Sequence, residues 1–457
     1  MHLLLSALAS LGSPAPQAPA ERPWTILVYG GADNNADGPI LFFLDQVRKA
    51  IDDDPGIELV LLIDRSEKFS DDATILGEDF TGARLYRLRK DSAERLAGGA
   101  ELPELTLTED AEIDSADPGN IGRFIAWGKA HYPAKRYGVM IYSHASGQSM
   151  CPDEESQRDM GIPELTQVVA ARESVDFLAL ELCNMGGIEI SYQWRPGTAR
   201  FGADVLLAIP NAGPPLDWDR AFARIRSPGH AESPLAGPYL DPAAMTAADF
   251  GKLVIEEGQR GRELAAGERP ERAAHEAAAC YDLRESEHVK RAVDALAVSL
   301  AAGEGARDTF LEMRGPGPIG NAINYDGEGP FVDLYDVCRR AADCDALSDD
   351  VRARSRDVLA AVDAFVVASF GMSAYEGFEG GKNGVFIVLP AGAPDRWKSF
   401  RWYTPLAHEE GGKDLGRWSF LADGATPGNG QVENWFELLD SWFDAADDAG
   451  GVNGYRF

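Results

Sequence analysis

The chain has 457 residues, 45% of them apolar and 26% charged, and carries a formal net charge of −31. That is enough apolar side chain to bury a full core and enough length for two or three domains. The 43 Lys and Arg residues form no long run, so no footprint for a phosphate backbone is present and nucleic acid is excluded as a partner.

The N-terminus carries an apolar stretch over 3–11 and then a Ser/Pro/Ala segment ending in Ala18-Pro19-Ala20. That small-x-small ending suits a signal-peptidase site, although only His2 stands where a basic region is usual. A leader over 1–20 and a secreted or periplasmic protein are expected; a disordered leader or a mis-assigned start is the alternative. No later segment reaches the ~18 to 20 continuous apolar residues that cross a bilayer, so no membrane span is expected.

Residues 24–29 (WTILVY) and 57–63 (IELVLLI) are apolar runs of strand length, and 39–51 between them shows helical apolar spacing. The pattern is β-α-β. The connection Asp33-Asn34-Asn35-Ala36-Asp37-Gly38 matches the first six positions of an EF-hand calcium loop, but Leu44 stands where the twelfth-position Glu is required. A strand-to-helix turn capped by Asp37 is therefore expected. A hairpin-like stretch over 73–89, an acidic loop and an amphipathic helix over 118–132 follow. Next come a strand over 137–142 (YGVMIY), a helix over 161–174 and a strand over 175–182 (VDFLALEL).

The Pro- and Gly-rich segment 227–242 is the clearest break in composition. It separates an α/β core at 21–228 from a mainly helical region at 229–457, with helices over 246–261, 285–302, 331–342 and 349–370. Strands over 277–283 and 384–389 stand isolated among those helices and are expected to return to the first sheet. The expected fold class is α/β, built on a mostly parallel sheet.

Five cysteines, at 151, 183, 280, 338 and 344, are too few and scattered for a disulfide framework or a zinc site. Cys338 and Cys344 could be bridged only if the helix between them ended first.

Two strands end in short polar segments, Ser143-His144-Ala145-Ser146-Gly147 and Glu181-Leu182-Cys183-Asn184-Met185-Gly186-Gly187. Parallel strands joined by one crossover are commonly neighbours, and reactive groups gather beyond their carboxyl ends, so His144 and Cys183 should meet. A thiol of ordinary pKa near ~8.5 is mostly protonated at neutral pH and needs activation. His144 can take that proton and return it to a leaving amine, and a helix start after Cys183 can favour the thiolate. The N–H groups of Ala145 and Cys183 can form an oxyanion hole. The bland alternative is a Cys serving as a small hydrophobe at a strand end.

The run Asn120-Ile121-Gly122 through Trp127, then His131-Tyr132-Pro133, Arg136-Tyr137 and His144-Ala145-Ser146-Gly147 resembles the clostripain family of cysteine peptidases. Residues 24–29 with Asp33-Asn34-Asn35, the stretch 181–186, and later segments such as Val332-Asp333-Leu334-Tyr335-Asp336 are similar to it as well. The resemblance spans roughly 22–440. It implies a caspase/gingipain-like α/β/α sandwich, a peptide or protein substrate, Cys183 as nucleophile and His144 as general base and acid. It also implies calcium, at no assigned site, and cleavage between the two motifs, for which Arg158 is the candidate position.

Ala145 departs from the family's Gly, and Leu182 and Glu181 from its Ala and Asp. Strand periodicity puts Glu181 on the face of Cys183, where it can receive an Arg or Lys side chain; a buried strand-end carboxylate is the other reading. Residues 209–215 lack the acidic residues that relatives carry there. A cysteine endopeptidase is expected, the alternative being a catalytically impaired binding module. A phosphate-binding α/β domain is disfavoured because no Gly-rich loop follows the first strand.

Overall fold

Strand-length apolar runs dominate the sheet. In the computed structural model these strands are Arg22–Ala32 (β1), Ile57–Arg65 (β2), Gly82–Arg89 (β3), Ser92–Leu96 (β4), Ala134–Tyr142 (β5), Ser149–Asp153 (β6), Arg158–Gly161 (β7), Val175–Glu181 (β8) and Ala203–Ala208 (β9). Ala277–Asp282 (β10), Phe331–Asp333 (β11), Val366–Gly371 (β12) and Phe386–Val388 (β13) follow. The structure describes residues 21–52, 56–71, 74–228, 237–268, 273–327, 329–390, 418–426 and 428–443, with 235, 409–410 and 413–414; the expected leader lies outside them.

One nine-stranded sheet runs in the order β12-β10-β9-β8-β5-β1-β2-β3-β4. Its five central strands are parallel, and the strands at both edges are antiparallel. Alternate residues of β1 serve opposite faces: Leu27 and Tyr29 belong to one buried cluster, Ile26 and Val28 to the other. That two-sided burial explains why the central strands read as continuous apolar runs. The helices Asp37–Ala50 (α1), Trp218–Ala223 (α5) and Ala247–Glu268 (α6) cover one face through Phe43, Trp218 and Phe250. Pro118–His131 (α2), Glu164–Val168 (α3), Ile188–Gln193 (α4) and the late helices Ser286–Ala302 and Asp349–Phe365 cover the other. The architecture is an α/β/α sandwich.

Several element boundaries differ from expectation. Residues 149–161 form the hairpin β6–β7, which leaves only α3 and a 3-10 turn at Ala171–Glu173 of the helix expected over 161–174. The hairpin expected over 73–89 is instead β3–β4, turning at Lys90-Asp91 with Asp91 in the left-handed region. The helix expected over 331–342 opens as a strand because Asp333 caps Leu334–Asp343, accepting from the Asp336 amide. The helix over 349–370 stops at Phe365, where the β-branched Val366-Val367 enters β12. β13 does not rejoin the main sheet; it pairs with β11 and touches Gly187 by a single bridge. All five cysteines are free thiols.

Asp37 does not cap α1. Helix α1 begins at Asp37 itself, and its carboxylate takes both the Nε and Nη2 donors of Arg65 at 2.9 Å. Both side chains are essentially fully buried, and Arg65 also donates to the carbonyls of Phe80 and Asp71. The pair ties the start of α1 to the end of β2. Asp37→Ala would strand a buried guanidinium, and a loss of about 3 to 5 kcal/mol is expected in urea unfolding; a loss under ~1 kcal/mol would show the pair to be dispensable.

Candidate active site

The pairing of β5 with β8 sets the geometry. Tyr142 lies opposite Glu181 in the parallel ladder, and His144 and Cys183 each follow two residues later. Both line one cavity of about 710 Å³ at the carboxyl end of the sheet. The two loops touch: Gly147, at φ 78°, packs so closely that an added Cβ would sit 2.8 Å from the Asn184 carbonyl oxygen and 2.8 Å from the Phe331 ring. Glycine is required there on both counts.

Cys183 stands apart from the other thiols. It is only partly buried, whereas Cys151, Cys280, Cys338 and Cys344 are buried, and burial pushes the Cys151 thiol up to about 12. Those four are inert packing groups. The loop after Cys183 is pinned by its backbone: the Asn184 amide donates to the Asn211 carbonyl at 3.0 Å, and the Met185 and Gly186 amides donate to the Ile209 carbonyl. Asn184 itself is left-handed at φ 59°. The expected helix start beside the thiol is not there, because α4 begins only at Ile188, past that loop. A helix dipole therefore cannot be the activating influence.

His144 Nε2 lies 2.8 Å from Asn35 Oδ1. A carboxamide oxygen only accepts, so with the amide oriented this way Nε2 carries the proton and Nδ1 keeps its lone pair. Burial lowers the His144 pKa from its ordinary 6.5, which favours the neutral imidazole a base must be. Asn35 was visible in the sequence only as part of the Asp33-Asn34-Asn35 turn; its contact with His144 depends on β1 and β5 being neighbours. Asn34 braces that turn, its amide nitrogen donating to the Gly31 and Pro152 carbonyls and to Ser143 Oγ.

Glu181 is buried, and burial raises its carboxyl to about 7 against the hydrogen bonds that lower it. Its Oε1 accepts from Trp218 Nε1 at 2.7 Å and its Oε2 from the Leu216 amide at 3.0 Å. It belongs to the cavity floor together with two carboxylates the sequence reading passed over, Asp217 and Asp219. Arg262 donates to Asp217 at 2.9 Å. Their signal was the Asp-Trp-Asp triplet just beyond the acid-free segment 209–215. Ala145 and the Cys183 backbone sit at the two loop starts. The amides used to fold those loops belong to Ser146, Cys151, Asn184, Met185 and Gly186. Arg158 opens β7, with Nη1 2.6 Å from Asp114 Oδ2.

The sequence model of the clostripain family matches residues 28–442. The chain belongs to the clostripain family. It is 32% identical to clostripain of Hathewaya histolytica over 95% of its own length and 89% of that protein's. In fold it is similar to an inactive zymogen C11 protease of Parabacteroides distasonis, with TM-score 0.55 and 14% identity over 85% of this chain and 99% of that one. It is also similar to a secreted C11 cysteine protease of Bacteroides thetaiotaomicron solved with an irreversible peptide inhibitor, with TM-score 0.52 and 17% identity over 84% and 97% of the two chains. The protein is a clostripain-like cysteine peptidase, a hydrolase of peptide or protein substrates. Among the described residues no helix is long and apolar enough to cross a membrane.

Two outcomes follow from the His144 environment. With Asn35→Ala the imidazole loses its tautomer partner, so kcat should fall by about 10- to 100-fold with KM nearly unchanged; an unchanged kcat would remove Asn35 from the site. Protonation would silence His144 as a base, so activity that depends on that role should fall as pH drops through the His144 pKa. The acid limb of kcat/KM should have its midpoint below 6.5, and a midpoint above 7 would contradict the burial of this ring.

Proposed function

We propose that the protein is an exported endopeptidase that cleaves after Arg or Lys through a Cys183–His144 dyad. The observation that carries this reading is a single cavity holding the partly buried thiol, the imidazole and the carboxylates of Glu181, Asp217 and Asp219. His144 Nδ1 takes the thiol proton as Sγ bonds to the scissile carbonyl carbon, and the Ala145 and Cys183 amides receive the oxyanion. Collapse expels the amine, which regains the proton from His144, and water then hydrolyses the thioester.

The charge on the cavity wall supports basic specificity. Asp217 is already matched by Arg262, and both oxygens of Glu181 accept hydrogen bonds from the fold. Asp219 is the carboxylate best able to meet an incoming guanidinium or ammonium. The apolar Phe42 and Phe43, which line the same cavity, suit the methylene stem of such a side chain. Export is supported by the leader-like 1–20 segment. Processing after Arg158 would require β7 to leave its hairpin and its Asp114 partner.

Fluorogenic peptides differing only at the residue before the scissile bond test the reading. Arg and Lys peptides should be cleaved, iodoacetamide and Cys183→Ala should abolish turnover, and Asp219→Asn should lower kcat/KM for the Arg peptide by about 10- to 100-fold, the worth of one charge-assisted contact. Comparable turnover of Arg and Phe peptides would discard the specificity, and activity surviving in Cys183→Ala would discard the dyad.

A further inference from the structure

The β5–β8 ladder is registered as far as Tyr142 and Glu181, and the loops that carry His144 and Cys183 leave the sheet beyond it. Two phenylalanines from the C-terminal region join those loops. Phe331 opens β11 and its ring meets Gly147 of the His144 loop, where an added Cβ would sit 2.8 Å from ring atom Cζ and 3.2 Å from Cε2. Phe386 opens β13 and its ring meets Gly187 of the Cys183 loop, where an added Cβ would run into Cε2 and sit 2.8 Å from Cζ. The two rings stack on each other with centroids 4.3 Å apart and planes inclined by 22°, and both are essentially fully buried. Contact therefore runs from glycine to ring to ring to glycine, one loop to the other.

Strands β11 and β13 pair with each other and stand outside the nine-stranded sheet, so the register of that sheet does not place them. They are tied to the Cys183 loop directly. The Phe386 amide donates to the Gly186 carbonyl at 2.9 Å, and Phe386 bridges to Gly187. Tyr281 on β10 brings its hydroxyl to 2.6 Å from the Gly384 carbonyl and 3.3 Å from that of Gly186, joining the same two segments. From behind, Asp333 accepts from Asn383 Nδ2 at 2.7 Å and from the Gly384 amide at 2.9 Å, and Glu189 Oε1 in α4 accepts from the Val388 amide at 2.8 Å. The aromatic pair is thus anchored on the sides away from the loops as well as against them.

We propose that Phe331 and Phe386 are positioning residues for peptide hydrolysis, their stacked rings setting the spacing between the His144 and Cys183 loops. The effect on the reaction rests on the dyad reading above; the brace itself does not. A misplacement of about 1 Å between reacting groups can cost on the order of 10²-fold in rate, so residues that touch no substrate act here on kcat. The acidic wall of the cavity, made by Glu181, Asp217 and Asp219, is built on other segments, and binding of a basic peptide is left in place. The catalytic unit then continues past the composition break at 227–242 and includes the β11–β13 hairpin.

The test compares, in the full chain, Phe331→Leu and Phe386→Leu with Phe124→Leu, a matched core truncation in α2 where the ring packs on Trp127. On an Arg peptide each of the first two should lower kcat by about 10- to 100-fold while KM moves less than about 3-fold, and Phe124→Leu should lower Tm to a similar degree with kcat unchanged. Gly187→Ala approaches the same contact from the loop: at φ −92° its backbone suits any residue, so the Phe386 ring is the obstacle. It should lower kcat about 10-fold, and its combination with Phe386→Leu should lose less than the product of the two single losses. Hydrogen exchange in the Cys183→Ala background reads the brace without turnover. The amides of 144–151 and 183–187 should exchange faster with Phe331→Leu or Phe386→Leu and not with Phe124→Leu. Equal exchange in all three, or kcat losses that merely follow Tm, overturns the inference. Turnover surviving in Cys183→Ala discards the dyad and with it the effect on kcat, while exchange still decides the brace.

Discussion

The parallel pairing of β5 with β8 is the constraint on which the site depends. Two strands that share a register of Tyr142 against Glu181 deliver His144 and Cys183 at the same height. A one-residue slip would turn His144 from the cavity toward the opposite face of the sheet. The apolar burial on both faces opposes such a slip, because every strand residue would exchange one packed layer for the other.

That dependence explains what was legible in advance. Strands buried on both faces announce themselves as continuous apolar runs, so the central strands, and with them His144 and Cys183, could be placed from local pattern and connectivity. Groups whose role comes from contacts across the sheet left no such trace. Asn35 lies 109 positions from His144, and nothing in its neighbours distinguishes a partner of the imidazole from an ordinary turn residue. Asp37 carried a cap signature at a helix start but was drawn into the interior by Arg65 at the end of β2. Asp219 sits in a segment whose relation to Glu181 is fixed only when Trp218 folds over it.

Local propensity was overridden where a longer-range partner offered more. The β-branched Val366-Val367 reads equally well as the last turn of a long helix, and the free edge of β10 decides for strand. Residues 331–333 were absorbed into a helical pattern until Asp333 is seen to accept from the Asp336 amide, from Asn383 and from the Gly384 amide, a buried hub at a helix start.

The sheet order also governs when the site can exist. Asn211, whose carbonyl holds the Asn184 amide in the Cys183 loop, is itself held by the amide of Ala277 and the carbonyl of His275. A nascent chain released only as far as β9 therefore carries both His144 and Cys183 but lacks the segment that steadies the Cys183 loop, and β9 still presents an open edge. Arrival of β10 closes that edge and steadies the loop in the same event, so the order of synthesis delays a finished Cys183 loop until well over half of the polypeptide has been made.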